Sequence, residues 1–278
     1  MRRPSDVKFT VVGGSGYVGR HVMRHLASAG FEAEAPARGD DSIFSRPLGH
    51  VLYCVGLTAD FRTRPFDTVE AHVTLLARLL EHADFKSLLY LSSTRLYGST
   101  SNGGTEQMIQ VDPCDPDALY NASKLVGEAL CLRDERAVRV VRLSNVYGGE
   151  EPSPSFVEMI LKEADDGKIV LQSSEDSAKD FVHVDDVVPI LARIALTGRQ
   201  RLYNVASGTN TTFGEIVSII ATATNSSVRV LPGAARTVAS PIDVSLIVQE
   251  FGWTPRPASI GLKELVALRP PAEKESRR

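Results

Sequence analysis

The stretch Gly13-Gly14-Ser15-Gly16-Tyr17-Val18-Gly19 limits what this chain can fold into more than any other segment. It follows the strand-like run Lys8 to Val12 and opens a segment in which Val18, Val22 and Leu26 share one helical face before Gly30 ends it. Glycines at every third position have separate physical tasks in such a place: Gly13 permits a tight turn, Gly16 lets the backbone approach a pyrophosphate, and Gly19 lets the helix pack close on the sheet. The free amides and partial positive charge at the helix start suit an anion, with Ser15, Tyr17 and Val18 in the same turn.

Strand-like and longer amphipathic stretches alternate beyond this unit, which is the pattern of an α/β fold: a doubly wound parallel sheet with helices on both faces. Strands are expected at Phe31 to Ala37, Val51 to Val55, Ser87 to Leu91, Val138 to Leu143 and Arg201 to Val205. One helix carries Val73, Leu76, Leu79 and Leu80, and another runs from about Asp117 to Arg133. After Gly148 the texture changes. A loop over residues 150–155, a helix at Phe156 to Ala164, a strand at Ile169 to Gln172, a helix at Phe213 to Thr224, a strand at Val228 to Leu231 and a helix at Ile242 to Phe251 fit a smaller lobe. The expected division is 1–149 with 181–206 for the sheet domain, 150–180 with 207–268 for the lobe, and a polar, Pro-interrupted tail at 269–278.

With 31 basic against 34 acidic side chains among 278 residues, the net charge of -3 offers no long-range attraction to nucleic acid or anionic lipid. No run reaches the roughly 20 apolar residues of a membrane span, and Met1 to Asp6 leads into a strand, so the expected compartment is the cytoplasm and the expected ligand a small molecule. Cys54, Cys114 and Cys131 lack metal-type spacing, and no metal site is expected.

Cofactor choice is written at the end of the second strand, where a carboxylate would bond a ribose 2′-hydroxyl and a cation a 2′-phosphate. The residues there are Ala35-Pro36-Ala37-Arg38. No acid stands at the usual place, so the reading leans to NADP over NAD, with a solvated Arg38 as the alternative. Only 13 residues separate Arg38 from Leu52, too few for another strand and helix, which makes the second strand a sheet edge; Pro36 agrees.

Tyr120 and Lys124 stand four positions apart, hence on one helical face. A phenol with a reference pKa near 10 becomes a useful base if a neighbouring ammonium lowers it to about 7, which takes roughly 4 kcal/mol. Upstream, the cluster Leu91-Ser92-Ser93-Thr94-Arg95-Leu96-Tyr97-Gly98 ends a strand. Either it binds the substrate oxygen whose proton Tyr120 takes, or it merely caps a turn.

Together with Val141-Arg142-Leu143-Ser144-Asn145-Val146-Tyr147-Gly148, Lys179-Asp180-Phe181-Val182-His183-Val184-Asp185-Asp186 and Tyr203-Asn204-Val205-Ala206-Ser207-Gly208, these blocks resemble the extended short-chain dehydrogenase/reductases, the NAD-dependent epimerase/dehydratase family, from about Lys8 to Leu268. The resemblance implies a Rossmann-type cofactor domain, a smaller C-terminal substrate lobe and a nucleotide-linked sugar as substrate. By position in the motifs it makes Ser93 the catalytic hydroxyl, Tyr120 the base and Lys124 its activator. It places Cys54, Val55, Gly56, Leu91, Ser92, Leu143 and Val146 on the cofactor, beside the glycine turn, and Thr94, Asn145, Lys179 and Arg236 on the substrate. Arg236 reads equally well as a surface residue.

Three departures stand out. Thr94-Arg95 replaces the Asp-Glu pair of the 4,6-dehydratases, which disfavours dehydration. Lys179 replaces a usual Arg, and His72 takes the place of a common helix Asn. The expected chemistry is hydride transfer at carbon four of a nucleotide sugar, by an epimerase or a 4-ketosugar reductase. A reductase of a non-nucleotide ketone or lactone and a non-catalytic NAD(P)-sensing protein are the alternatives. Extended members often pair through the Tyr/Lys helix, so a homodimer is also an expectation, with Leu125, Leu130 and Leu132 serving as interface or core.

Overall fold

A computed structural model describes residues 3–98, 103–149, 153 and 155–269. β1 (Lys8–Val12) leads through the glycine turn into α1 (Tyr17–Ser28) and the short β2 (Glu32–Glu34). β3 (His50–Tyr53) precedes a continuous helical rod made of α2 (Pro65–Val69), a π-helical stretch over Glu70–Thr74, and α3 (Leu75–His82). Next come β4 (Ser87–Ser93), α4 (Ala118–Arg133), β5 (Val138–Leu143), β6 (Asn145–Tyr147), α5 (Phe156–Asp165) and β7 (Lys168–Leu171). β8 (Ala178–His183), α6 (Val184–Thr197), β9 (Leu202–Val205), β10 (Asn210–Thr212), α7 (Phe213–Thr224), β11 (Ser227–Val230), α8 (Ser245–Phe251) and α9 (Ala258–Leu268) complete the order.

The main sheet has six parallel strands in the order β2-β1-β3-β4-β5-β9. Side chains alternate along each strand, so each strand feeds two cores. Phe9, Val11, Leu52, Leu89 and Val141 pack with Val22 and Leu26 of α1 and with Val187, Leu191 and Ile194 of α6. Val12, Val51, Tyr53, Leu88, Tyr90 and Val140 face the other way, onto Leu76, Leu79 and Cys131. This is the doubly wound arrangement expected from the sequence. β2 is the sheet edge, as the short interval after Arg38 implied; a single helical turn over Asp41–Phe44 occupies the interval. A separate core joins Ile160, Leu161, Ile169, Leu171, Phe213, Ile216, Ile220 and Leu262 around a two-stranded pair, β11-β7, and a three-stranded sheet, β10-β8-β6.

Several expectations need correction. β2 covers Glu32–Glu34 and not Phe31 to Ala37, because only Lys8, Phe9 and Thr10 of β1 are available to pair with it. The last helix of the expected set starts at Ser245, since Ile242 is drawn into a bridge with Gly103 and Asp243 Oδ1 accepts the Ser245 amide. α6 was not foreseen. Its exposed stripe is narrow, with Asp185, Arg193 and Thr197 toward solvent, and Pro189 inside it reads as a breaker. β8 and α9 were also missed. β8 belongs to the small sheet, while its Val182 packs into the core of the main sheet together with Val184. Of the expected tail, Arg269 is held by Asp165 at 2.7 Å and by Glu158, whereas 270–278 lie outside the described residues, as do 150–152 and 154 of the expected loop. Among the described residues, no helix is long and apolar enough to cross a membrane.

Under the sheet's carboxyl end lies a buried polar chain. Arg142 of β5 donates to both oxygens of Glu128 on α4, at 3.0 and 2.7 Å, and to Tyr97 Oη at 3.0 Å. Tyr97 donates to Asn204 Oδ1, and Asn204 donates to the carbonyls of Gly103 and Asp243. Glu128 and Arg142 are 3% and 4% exposed, so removing one partner strands the other in a dry site. Glu128→Ala should therefore lower the unfolding free energy by about 3–5 kcal/mol, read as a fall in denaturation midpoint.

Candidate active site at the mouth of the sheet

Gly13 follows β1 with φ +89°, and a Cβ there would fall 2.9 Å from the backbone of Cys54 and Val55. A Cβ on Gly19 would sit 2.2 Å from the Gly13 carbonyl, so the first turn of α1 presses directly on the glycine turn. Gly16 starts the helix without a side-chain cap, which leaves the first amides of α1 free to meet an anion. Ser15 is exposed on this turn. Tyr17 donates to the Gly148 carbonyl at 2.6 Å, pinning the glycine turn to the end of β6. At Gly14 an added Cβ would meet Ala35 at 2.5 Å, so the end of β2 abuts the same turn and Arg38 lies just beyond it, exposed. The nearest acid, Glu34, is already engaged. Burial alone would raise its carboxyl, but bonds from Arg46, Thr10 and Lys8 hold it below the ordinary range.

A cavity of about 630 Å³ runs from Tyr17 and Val18, past Ser92, Ser93, Thr94 and Tyr120, to Leu143, Asn145, Val146 and Lys179. Its floor is set by the carboxyl ends of parallel strands, where open α/β sheets bind ligands. Cys54 and Val55 form the wall behind the glycine turn and Gly56 lies against His72 and Lys124; burial pushes the Cys54 thiol up to about 12, which makes it inert. Asn145 Nδ2 donates to the Asp180 carbonyl at 2.8 Å, and the buried Asp180 carboxylate receives Ser207 N, Ser207 Oγ and Gly208 N, which holds β8 and hence Lys179 at the cavity. The Lys179 ammonium is lowered by burial and by Arg95. Arg236 is exposed and outside the lining; its neighbour Thr237 is part of it. A larger depression of about 820 Å³, bordered by Ser218, Arg256 and Lys263, lies away from the strand ends that carry these groups, and its Arg256 is spent on Asp186 and Glu264.

Ser93 Oγ accepts the Arg95 amide at 3.1 Å, and Ser93 and Tyr120 line the same cavity. Tyr120 is buried against Phe61, at 5.2 Å between ring centroids, and edge-on to His72, at 5.3 Å. His72 comes from the π-helical stretch. Its Nδ1 bonds Ser123 Oγ at 2.8 Å; because that hydroxyl donates to the Tyr120 carbonyl, Nδ1 carries the proton and Nε2 accepts the Leu57 amide at 3.3 Å. Burial and the Lys124 charge push the imidazole down to about 2, so it stays neutral. Ser92 Oγ is buried without a protein partner, a group left for a ligand.

Lys124 is buried against the end of β4. Its ammonium donates to the Leu91 carbonyl at 2.8 Å, and burial, partly offset by Glu128, brings it down to about 7. Burial raises the Tyr120 phenol, and the groups pulling it back are Ser93 and Arg95. Arg95 and Phe61 are among the residues the sequence reading left out of the site, with Asp117 and Asp180; the adjacency of Arg95 to the hydroxyl cluster was the available signal. Since folding depresses Lys124, the unfolded chain binds one more proton between about pH 7 and 10.5, and the native state gains stability as pH rises through that window. Lys124→Met should be more stable than the parent at pH 6, with the difference shrinking toward pH 10 in paired denaturation curves.

The model of the NAD-dependent epimerase/dehydratase family matches residues 9–206. A dTDP-6-deoxy-L-talose 4-dehydrogenase (NAD(P)(+)) from Kitasatospora kifunensis is 24% identical, covering 91% of this chain and 92% of its own. A GDP-6-deoxy-D-mannose reductase from Pseudomonas aeruginosa is 27% identical, covering 76% and 78%. Among solved structures, MoeE5 in complex with UDP-glucose and NAD superposes with a TM-score of 0.77 at 20% identity over 94% of this chain and 97% of its own. RMD from Pseudomonas aeruginosa complexed with NADPH gives 0.76 at 20% identity, over 94% and 98%. Since that family model spans most of the chain, the protein belongs to the NAD-dependent epimerase/dehydratase family of the extended short-chain dehydrogenase/reductases.

Proposed function

We propose that the protein is a 4-ketosugar reductase acting on a nucleotide-linked sugar with NADP. The observation that carries this reading is that Ser93 and Tyr120 line one cavity with Tyr17 and Val18 of the glycine turn. The chain fits a dinucleotide: uncapped amides at the start of α1, glycines whose added Cβ atoms would collide with backbone, and the orphaned Ser92 hydroxyl. A nicotinamide held there supplies hydride chemistry. The preference for NADP rests on Glu34 being tied up by Arg46, Lys8 and Thr10 while Arg38 is exposed past the end of β2.

The chain's own groups then divide the work. The Arg95 amide fills an acceptor site of Ser93 Oγ, so the Ser93 proton is aimed at an oxygen, either the phenol or a substrate carbonyl. Tyr120 donates its proton to that carbonyl on reduction and receives one in the reverse direction. His72 joins the Leu57 amide to α4 and fixes the loop after β3 relative to the phenol. Thr94 and Arg95 offer no carboxylate where a dehydratase needs acids, so water is not eliminated. Lys179 faces the cavity from β8 and suits a diphosphate; Arg236 joins it if the exposed loop closes on a ligand.

The test is a panel of dTDP-, GDP- and UDP-linked 4-ketosugars and sugars with each nicotinamide cofactor, followed at the reduced-nicotinamide absorbance. Net oxidation of NADPH by a 4-ketosugar is expected. Interconversion of sugars without net change in that absorbance would indicate an epimerase instead. Tyr120→Phe should lose at least about 100-fold in turnover while cofactor binding persists.

A further inference from the structure

A positive charge that the motif does not include stands beside the Tyr120 ring. Lys124 shares a helical face with Tyr120, yet its ammonium is turned to the Leu91 carbonyl and lies 4.9 Å from the Tyr90 ring centroid. The guanidinium of Arg95, two residues after Ser93, stands 5.3 Å from the centroid of Tyr120 and 5.1 Å from that of Phe61. It is held there by Asp117, the residue before α4, which also binds Arg62; Arg62 in turn lies 4.7 Å from the Phe61 centroid. We propose that Arg95 is a positioning residue for the proton transfer, an arginine fixed by Asp117 against two aromatic rings so that positive charge faces the ionised form of Tyr120 from the substrate side.

The surrounding charges support this. From α4 come Lys124, bound to a carbonyl, and Glu128, bound by Arg142 one turn further on. The π-helical stretch contributes a neutral His72, β8 contributes Lys179, and the segment before α2 contributes Arg62. Asp117 is one carboxylate between two guanidinium groups, so the cluster at the ring keeps a net positive charge. Its effect on the phenol is in the expected direction: Arg95 and Ser93 oppose the rise caused by burial. Arg95 also explains its own place in the chain. Where a dehydratase needs a carboxylate to move a proton at the neighbouring sugar carbons, this protein puts a fixed cation that cannot accept one, and the acid–base work is confined to Tyr120.

The inference rests on the proposed Ser93/Tyr120 chemistry, but its test needs no turnover. In the NADP⁺-saturated protein, the tyrosinate absorbance titration of the parent minus that of Tyr120→Phe isolates the Tyr120 midpoint. The same subtraction on an Arg95→Gln background should move that midpoint up by about one pH unit, and Arg95→Lys should leave it within about 0.3 unit of the parent. Arg95→Met, which keeps an apolar stem over Phe61, replaces the Gln variant if the latter does not bind cofactor. An unchanged midpoint in the neutral variants would overturn the proposal. So would a shift in Arg95→Lys as large as in Arg95→Gln, since lost packing and not lost charge would then be acting. If no nucleotide sugar turns over, the substrate reading falls while this titration still decides the role of Arg95.

Discussion

The arrangement depends on a helix that buries its polar face. α4 turns Tyr120, Ser123, Lys124 and Glu128 inward against β4 and β5, while Val126 and Leu132 are left toward solvent. Burying four such groups is costly unless each finds a partner. Three find one inside the protein: the Ser123 hydroxyl bridges His72 and its own helix, the ammonium meets the Leu91 carbonyl, and the carboxylate meets Arg142, while Tyr120 lines the cavity. At Gly127, between them, a Cβ would lie 2.5 Å from Tyr90 Oη. The missing side chain sets how closely the helix sits on the strand, and that closeness brings the phenol to the end of β4.

The same contacts explain what could be read without coordinates. β1, β5 and α7 match their expected limits because each is an apolar stretch between clear stop signals. The order of Gly turn, hydroxyl cluster and Tyr/Lys pair placed the cavity, since the carboxyl ends of parallel strands must lie on one side. Leu125 and Leu130, read as interface or core, are half-buried and Leu132 is exposed, because the polar face took the inside. What was not legible is tertiary. A Tyr and a Lys four apart share a face, but spacing does not say that the ammonium bends back to a carbonyl of β4. Nor does it say that Arg95, from another element, covers the ring.

His72 shows how a local irregularity serves the site. A π-helical stretch widens the rod between α2 and α3 and is a frequent mark of function. Here it delivers an imidazole whose two nitrogens face different segments, one the helix of the phenol and the other the loop behind the glycine turn. The neutral ring satisfies both and does so across the whole physiological pH range.

The clipped interval after Arg38 has a consequence for solubility. With no further strand outside it, β2 is the border of the main sheet, and an open border is a template on which another chain can stack edge to edge. The protein blunts that border. The strand is three residues long, carries Glu32 and Glu34, ends two residues before Pro36, and has the turn at Pro4–Asp6 lying against it. The trimming that leaves β2 at the border thus brings with it protection against edge-to-edge stacking, written in the same few residues.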